Sequence, residues 1–289
     1  MYGEGYVEAG NSQKLAKQIF GIKVPFVLDN KEELVYTSSP ASVNTTWAEY
    51  NWLTDVEKIF SKKIYTFCRK HSVDFESMIC FCLCHETGHA KEQRLFEESG
   101  FFPIALPIEV YAKIESTNYV FTRSELLRMF MGGIFDFSVN KELLKNNLKN
   151  PFARKAYLDK ETLRTSEFTT KKEGYSSDLR YRYLILNLPL VLDLYEHGGL
   201  NESERRTLKE NQEKEIGDKW EKTLLKLKSI EFFDAKSKRD IMLELFENTL
   251  GIQHAYLVSN VNRKNLLPTG YSELPKFWNK DSYCVMHLS

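Results

Sequence analysis

Residues Phe75 to Glu98 constrain this chain more than any other stretch. They read as one helix. Asp74 is placed to cap its N-terminus, apolar residues fill the first three turns, and Gly100 stands where a stop is expected. Met78, Ile79, Phe81, Cys82 and Leu83 make those turns apolar nearly all round, which predicts a buried helix. Its second half carries Cys84-His85-Glu86-Thr87-Gly88-His89-Ala90. At 3.6 residues per turn, His85 and His89 project from one face, close enough to hold a single ion. Glu86 is rotated by about a quarter turn, so it can reach a water on that ion without displacing a histidine. With 6 histidines and 40 acidic residues in the 289-residue chain, such a pattern arises about 0.02 times in a shuffled sequence. Two histidines and a glutamate at the end of a buried helix need partners, and a metal supplies them.

A tetrahedral site that keeps one position open for water needs a third protein ligand. Thr122-Arg123-Ser124-Glu125 is a capping-box pattern, and it predicts a helix running to about Asn147. On that helix Asp136 is an acid between aromatic and aliphatic neighbours, where an unpaired charge is expensive. Gly132 and Gly133, one turn earlier, let a second helix backbone come close. Asn140, one turn later, is expected to hydrogen-bond the Asp136 carboxylate. Asp136 is therefore the expected third ligand, with Glu125, Glu109, Glu115 and His197 as rivals.

His85-Glu86-Thr87-Gly88-His89, followed 47 residues after His89 by Asp136-Phe137-Ser138-Val139-Asn140, resembles the zincin-like metallopeptidases of the gluzincin type. Gly88 is similar to the glycine of the HExGH found in many of them. An aspartate on the second helix resembles the metallopeptidase domains that use aspartate where most gluzincins use glutamate. The resemblance covers about residues 20 to 150. It implies a small twisted sheet, a backing helix, the histidine helix and a ligand helix. It also implies one Zn2+ per chain held by His85, His89 and Asp136, with Glu86 as the general base that hydrolyses a peptide or protein substrate. In one place the chain departs from the common plan: few residues separate the backing helix from the histidine helix, leaving no room there for the usual edge strand.

The remaining sequence predicts an α+β, predominantly α, protein. Lys14–Phe20 reads as a short helix, and Val24–Leu28 with Glu33–Thr37 as a hairpin that supplies the sheet. Trp52, Val56, Ile59, Phe60, Ile64 and Phe67 recur at helical spacing, which predicts one backing helix from Thr45 or Thr46 to about Arg69. His71 then falls in a surface turn. Asn150-Pro151 marks a boundary between a catalytic core, 1–150, and a helical C-terminal extension, 151–289, packed on it. In that extension 152–180 is polar and loop-like. Tyr181–Tyr195 is apolar but interrupted by Pro189, 201–227 and 235–250 are amphipathic helices, and the tail from Tyr256 is irregular. Tyr175, Arg180, Tyr181, Tyr183 and His197 are candidate donors to a developing oxyanion.

Charge and composition exclude several functions. Basic and acidic residues balance at 40 each, which gives no electrostatic footprint for nucleic acid or anionic membrane. The most apolar stretch is too short to span a bilayer, and the first residues have neither a basic leader nor an apolar run. Five cysteines, with Cys80, Cys82 and Cys84 at alternate positions, match neither a disulfide framework nor a zinc ribbon. A cytoplasmic protein with small buried cysteines is expected, of undetermined oligomeric state. Beside the peptidase reading stand a scaffold with a structural zinc and a hydrolase fold that has lost its metal.

Overall fold

The computed structural model describes residues 2–29, 47–51, 54–99, 110–114, 117–121, 130–151 and 184–250. Its centre is the expected helix, α3 (Phe75–Glu98). The Asp74 carboxylate accepts a hydrogen bond from the Ser77 N–H at 2.7 Å, which satisfies one of the free donors of the first turn. Met78, Ile79, Phe81, Leu83, Cys84, Ala90 and Phe96 are all buried. Such a helix needs apolar partners on several sides, and the chain provides three.

The first partner is α1 (Tyr2–Phe20), longer than the helix expected from Lys14. Its Ala16 and Phe20 pack with Phe81 and Cys84 of α3 and with Val139 and Leu143 of α4 (Gly132–Lys145). The second is a small sheet with α2 (Ser61–His71) behind it, where Ile59, Ile64, Met78, Ile79 and Leu83 form one cluster. The third and largest cluster joins Phe96 of α3 and Ile134 and Phe137 of α4 to the C-terminal helices. Those are α5 (Leu188–His197), α6 (Glu202–Ile216), α7 (Lys219–Ser229) and α8 (Ala235–Leu250). Residues on both sides of the Asn150-Pro151 boundary thus share one apolar cluster.

The sheet corrects two expectations. Strands β1 (Phe26–Leu28), β2 (Ala48–Asn51) and β3 (Val56–Ile59) lie in the order β1-β3-β2, with β1 parallel and β2 antiparallel to β3. The single helix expected from Thr45 to Arg69 is therefore two strands followed by α2. Asp55 sits at φ 56, a left-handed conformation that breaks a helix, and the Asn51 side chain accepts from the Thr54 N–H to shape the turn. Four-residue strands carry too few alternations to outweigh a helical reading of the same apolar residues. The second correction is to the source of the sheet: β1 pairs with β3, and β2 and β3, which precede α2, supply strands that the hairpin before residue 45 was expected to provide. Only 72–74 separate α2 from α3, so no edge strand lies there, as expected. The expected partner strand, Glu33–Thr37, lies outside the described residues, as do 152–180 and the tail from Tyr256.

A second ribbon, β4 (Val110–Ile114) with β5 (Thr117–Phe121), is antiparallel from Val110↔Phe121 to Ile114↔Thr117. Sequence reading passed it over, although Val110-Tyr111-Ala112-Lys113-Ile114 and Thr117-Asn118-Tyr119-Val120-Phe121 are rich in β-prone residues two positions apart. Of the long helix expected from Thr122, the structure describes α4 and the wider turn at Phe130–Met131 before it. His71 is the last residue of α2, its ring 4.4 Å from that of Phe67. Pro189 lies in the first turn of α5, where its missing N–H costs nothing, so that segment is helix. The 201–227 segment divides at Gly217, φ 62, and 235–250 is the helix expected. No helix among the described residues is long and apolar enough to cross a membrane.

Gly133 is where α4 and α5 touch: a Cβ there would lie 2.5 Å from the Leu190 backbone N. Backbone cannot swing aside as a side chain can. Gly133→Ala is therefore expected to destabilise the protein by about 1–3 kcal/mol despite alanine's better helix propensity. Gly10, in α1, would meet nothing within 4 Å, and Gly10→Ala should stabilise by about 0.5–1 kcal/mol. Urea midpoints of the two variants check this, and a stable Gly133→Ala protein would refute the close helix contact.

Candidate metal centre

His85 and His89 are presented by consecutive turns of α3, their rings 4.6 Å apart and edge to face. Asp136 reaches them from α4. The His85 Nε2 and His89 Nε2 atoms are 3.0 Å apart, and Asp136 Oδ1 is 3.3 Å from the first and 3.1 Å from the second. Among the described residues, these three form the one group whose spacing suits a metal ion. Ligand atoms about 2.0–2.1 Å from a tetrahedral zinc lie about 3.3 Å from one another, so the triangle has the size of one face of such a shell. The Asp136 side chain is 31% exposed and those of His85 and His89 are 15% and 22% exposed. The donors therefore converge at a place that solvent can still enter.

The hydrogen atoms around the triangle follow from the partners. Asn140, one turn after Asp136, places Oδ1 3.0 Å from His85 Nδ1 and donates through Nδ2 to Asp193 at 2.8 Å. A carboxylate only accepts, so the amide nitrogen must face Asp193 and the oxygen must face His85. His85 Nδ1 therefore carries the hydrogen, and its Nε2 offers a lone pair. Asn140 was expected to support the Asp136 carboxylate; it supports a histidine instead, because its side chain lies across α4 toward α3 rather than along α4. His89 Nδ1 faces Glu92 Oε2 at 3.6 Å, and that oxygen, fully buried, makes no hydrogen bond. Two imidazole nitrogens and a carboxylate oxygen thus meet within 3.3 Å, an arrangement held together by a proton on His89 or by a metal ion between them.

The electrostatics favour a cation here. Burial works against charge on His89, but the Asp136 and Glu92 carboxylates outweigh it and hold its pKa well above the usual imidazole value. Burial likewise opposes ionisation of Asp136, yet both histidines hold it below the usual carboxylate range. A proton and a metal compete for the same position.

Glu86 is buried, and the Tyr50 N–H of strand β2 donates to its carboxylate. Burial raises its pKa, with His89 and His85 acting in the opposite direction. A carboxylate tuned upward beside a metal-sized gap suits a proton acceptor. Gly88, between the histidines, has a steric reason: a Cβ there would lie 2.6 Å from Val139 Cγ1 and 3.1 Å from the Phe20 ring. Its absence lets α4 approach closely enough for Asp136 to reach both histidines.

The other sequence candidates separate cleanly. His197 donates from Nδ1 to Asp193 at 2.7 Å and stands outside the donor triangle. Glu109, Glu115, Glu125, Tyr175, Arg180, Tyr181 and Tyr183 lie outside the described residues. Cys82 and Cys84 are buried and Cys80 is half-buried, all as free thiols. Cys84 Sγ is 3.8 Å from the Ser12 carbonyl oxygen on α1, away from the ligand face. Sequence reading missed Glu57, Glu92, Asp193 and Lys238. Glu92 ion-pairs with Lys238 of α8, each side chain 1% exposed; removing either would strand a buried charge. Only Glu92 left a local trace, three residues after His89 on the same face.

Glu57, on β3, is fully buried. Thr87 donates to its Oε1 at 2.7 Å, and its Oε2 makes no hydrogen bond. Burial pushes its pKa up to about 9, against the Thr87 hydrogen bond and with help from Glu86. The folded state thus keeps a proton that the unfolded chain releases, so between those two pKa values stability falls as pH rises. Glu57→Gln, neutral throughout, should match the wild type near about pH 5. It should then gain on it by up to roughly 1.4 kcal/mol per pH unit toward about pH 8. Urea unfolding at the two pH values measures the difference, and a constant offset would contradict the account.

No protein-family model, curated protein or solved structure matches the chain.

Proposed function

We propose that this chain is a zinc-dependent peptidase with a zincin-like core: the β1–β3 sheet, the backing helix α2, the histidine helix α3 and the ligand helix α4. The observation that carries the reading is the triangle of His85 Nε2, His89 Nε2 and Asp136 Oδ1, three lone pairs at 3.0–3.3 Å beside the buried Glu86. Two imidazoles and one carboxylate, partly open to solvent, form a donor set that suits catalytic zinc. Structural zinc sites close the fourth position, often with cysteine. Here Cys84 turns toward α1 and Asp136 remains partly open to solvent.

Zinc bound there would polarise a substrate carbonyl and bring the pKa of a water toward ~7. The work of the chain's own residues follows from position. His85 and His89 would hold the ion through Nε2, their Nδ1 atoms turned to Asn140 and Glu92. Asp136 would add the negative charge that offsets part of the ion's own. Glu86 accepts the proton of the attacking water and returns it to the departing amine, a role its raised pKa supports. The Tyr50 N–H steadies that carboxylate and keeps it aimed. The substrate is a peptide or protein amide.

Zinc content and turnover of a generic casein or peptide library test the reading. Wild-type protein is expected to hold one zinc per chain, and Asp136→Ala to lose it or bind it far more weakly. Glu86→Gln should keep the metal and lose about a hundredfold to ten-thousandfold in rate. Zinc retained at full strength by Asp136→Ala, or an unchanged rate in Glu86→Gln, would overturn the assignment.

A further inference from the structure

The metal ligands come from α3 and α4, but the hydrogen-bond chain behind His85 ends on α5. Asp193 lies on α5, buried, one turn before His197. Its Oδ1 accepts from His197 Nδ1 at 2.7 Å and its Oδ2 accepts from Asn140 Nδ2 at 2.8 Å. Asn140 in turn accepts from His85 Nδ1 at 3.0 Å. His197 is itself held in place, its ring 4.6 Å from that of Phe137 on α4. The side chains of Asp193 and His197 are 11% and 8% exposed.

An amide has a donor end and an acceptor end of nearly equal size, so Asn140 alone cannot dictate which end His85 meets. If the donor end faced His85, Nδ1 would have to accept and the ring hydrogen would move to Nε2, into the metal position. Asp193 removes that freedom. Being acceptor-only and occupied by His197 on its other oxygen, it takes the Asn140 nitrogen and leaves the oxygen for His85.

We propose that Asp193, braced by His197, is a positioning residue for the metal centre: it orients the Asn140 amide and so keeps His85 in the tautomer that presents Nε2 as a ligand. The C-terminal helices then belong to the centre rather than merely covering it. The inference rests on the metal-site reading for its consequence, while the tautomer itself can be read without metal.

The test uses the full chain as wild type, as Asp193→Asn, and as a double swap that combines Asn140→Asp with Asp193→Asn. In the swap, the side chain at position 140 is acceptor-only toward His85 whatever stands behind it. The new amide at position 193 can then serve both that carboxylate and His197. Nitrogen-15 NMR of the histidine rings in chelator-treated protein at alkaline pH reports the tautomer. Competition with a chromophoric chelator reports zinc affinity. Wild type should show hydrogen on His85 Nδ1. Asp193→Asn should show a mixture or the Nε2–H form and bind zinc about 10- to 100-fold more weakly, and the swap should restore both. A folded Asp193→Asn protein with an unchanged tautomer and zinc affinity within about twofold of wild type would overturn the proposal, leaving Asp193 with packing alone. So would a wild type whose His85 carries its hydrogen on Nε2. Should Asp193→Asn fail to fold, Asp193→Ala takes its place with the same two measurements, and if neither folds the wild-type tautomer decides. Loss of the Nδ1–H form with weaker zinc in the variant, or Nδ1–H in the wild type, supports the proposal, and an unchanged variant or Nε2–H in the wild type refutes it. Failure of the wild type to take up zinc defeats the metal reading and leaves the tautomer result to stand by itself.

Discussion

Two imidazole nitrogens and a carboxylate oxygen within 3.3 Å of one another need a proton or a metal ion between them, and the arrangement of this protein follows from keeping them there. With their lone pairs facing one another, His85, His89 and Asp136 would drift apart on any loosely held scaffold. Here the two histidines share the rigid frame of α3, and Asp136 is carried by a helix packed against it without room to retreat. Gly88 sets that distance. The contact is steric in origin, since even one methyl group on Gly88 would collide with Val139.

The buried polar groups around the triangle have a common logic. Glu57, Glu92, Asn140 and Asp193 would each be costly in an apolar interior if unpaired. Three of them are arranged behind the histidines or their helix, where they control which atoms carry hydrogen. Asn140 and Asp193 stand behind His85, while Glu92 and Lys238 stand behind His89. Glu57 is different: it is a neutral acid held beneath Thr87, close to Glu86 and therefore sensitive to the same local field. The outer members come from α5 and α8: Asp193 lies 53 residues from Asn140 along the chain, and Lys238 lies 146 from Glu92. Large apolar residues shared across these helices, Trp220 and Phe137 among them, keep the outer shell in register with the inner one.

Much of the inner shell was legible because it is local. The four-residue separation of His85 and His89, the cap at Asp74 and the apolar turns between them all act within one helix, where geometry follows directly from spacing. Asp136 was legible for a related reason: a lone acid in an apolar helical stretch must find a charged partner. The helix read across Thr45–Arg69 was not correct, because a left-handed Asp55 divides it and two short strands use the same apolar residues. The role of Asn140 was also misassigned. Spacing put it beside Asp136 on α4, but its amide oxygen meets His85 Nδ1 on α3.

What the sequence determined by itself is therefore the central helix, the histidine pair with its adjoining glutamate, and the kind of residue that had to complete them. Only the tertiary structure decided which atoms face the shared position, which hydrogens point away from it, and that Asp193, Glu92, Lys238 and Glu57 surround it. The physical reason is range. Helical periodicity acts over a few residues and can be read along the chain, whereas the packing of α4, α5 and α8 depends on close contacts between residues distant in sequence.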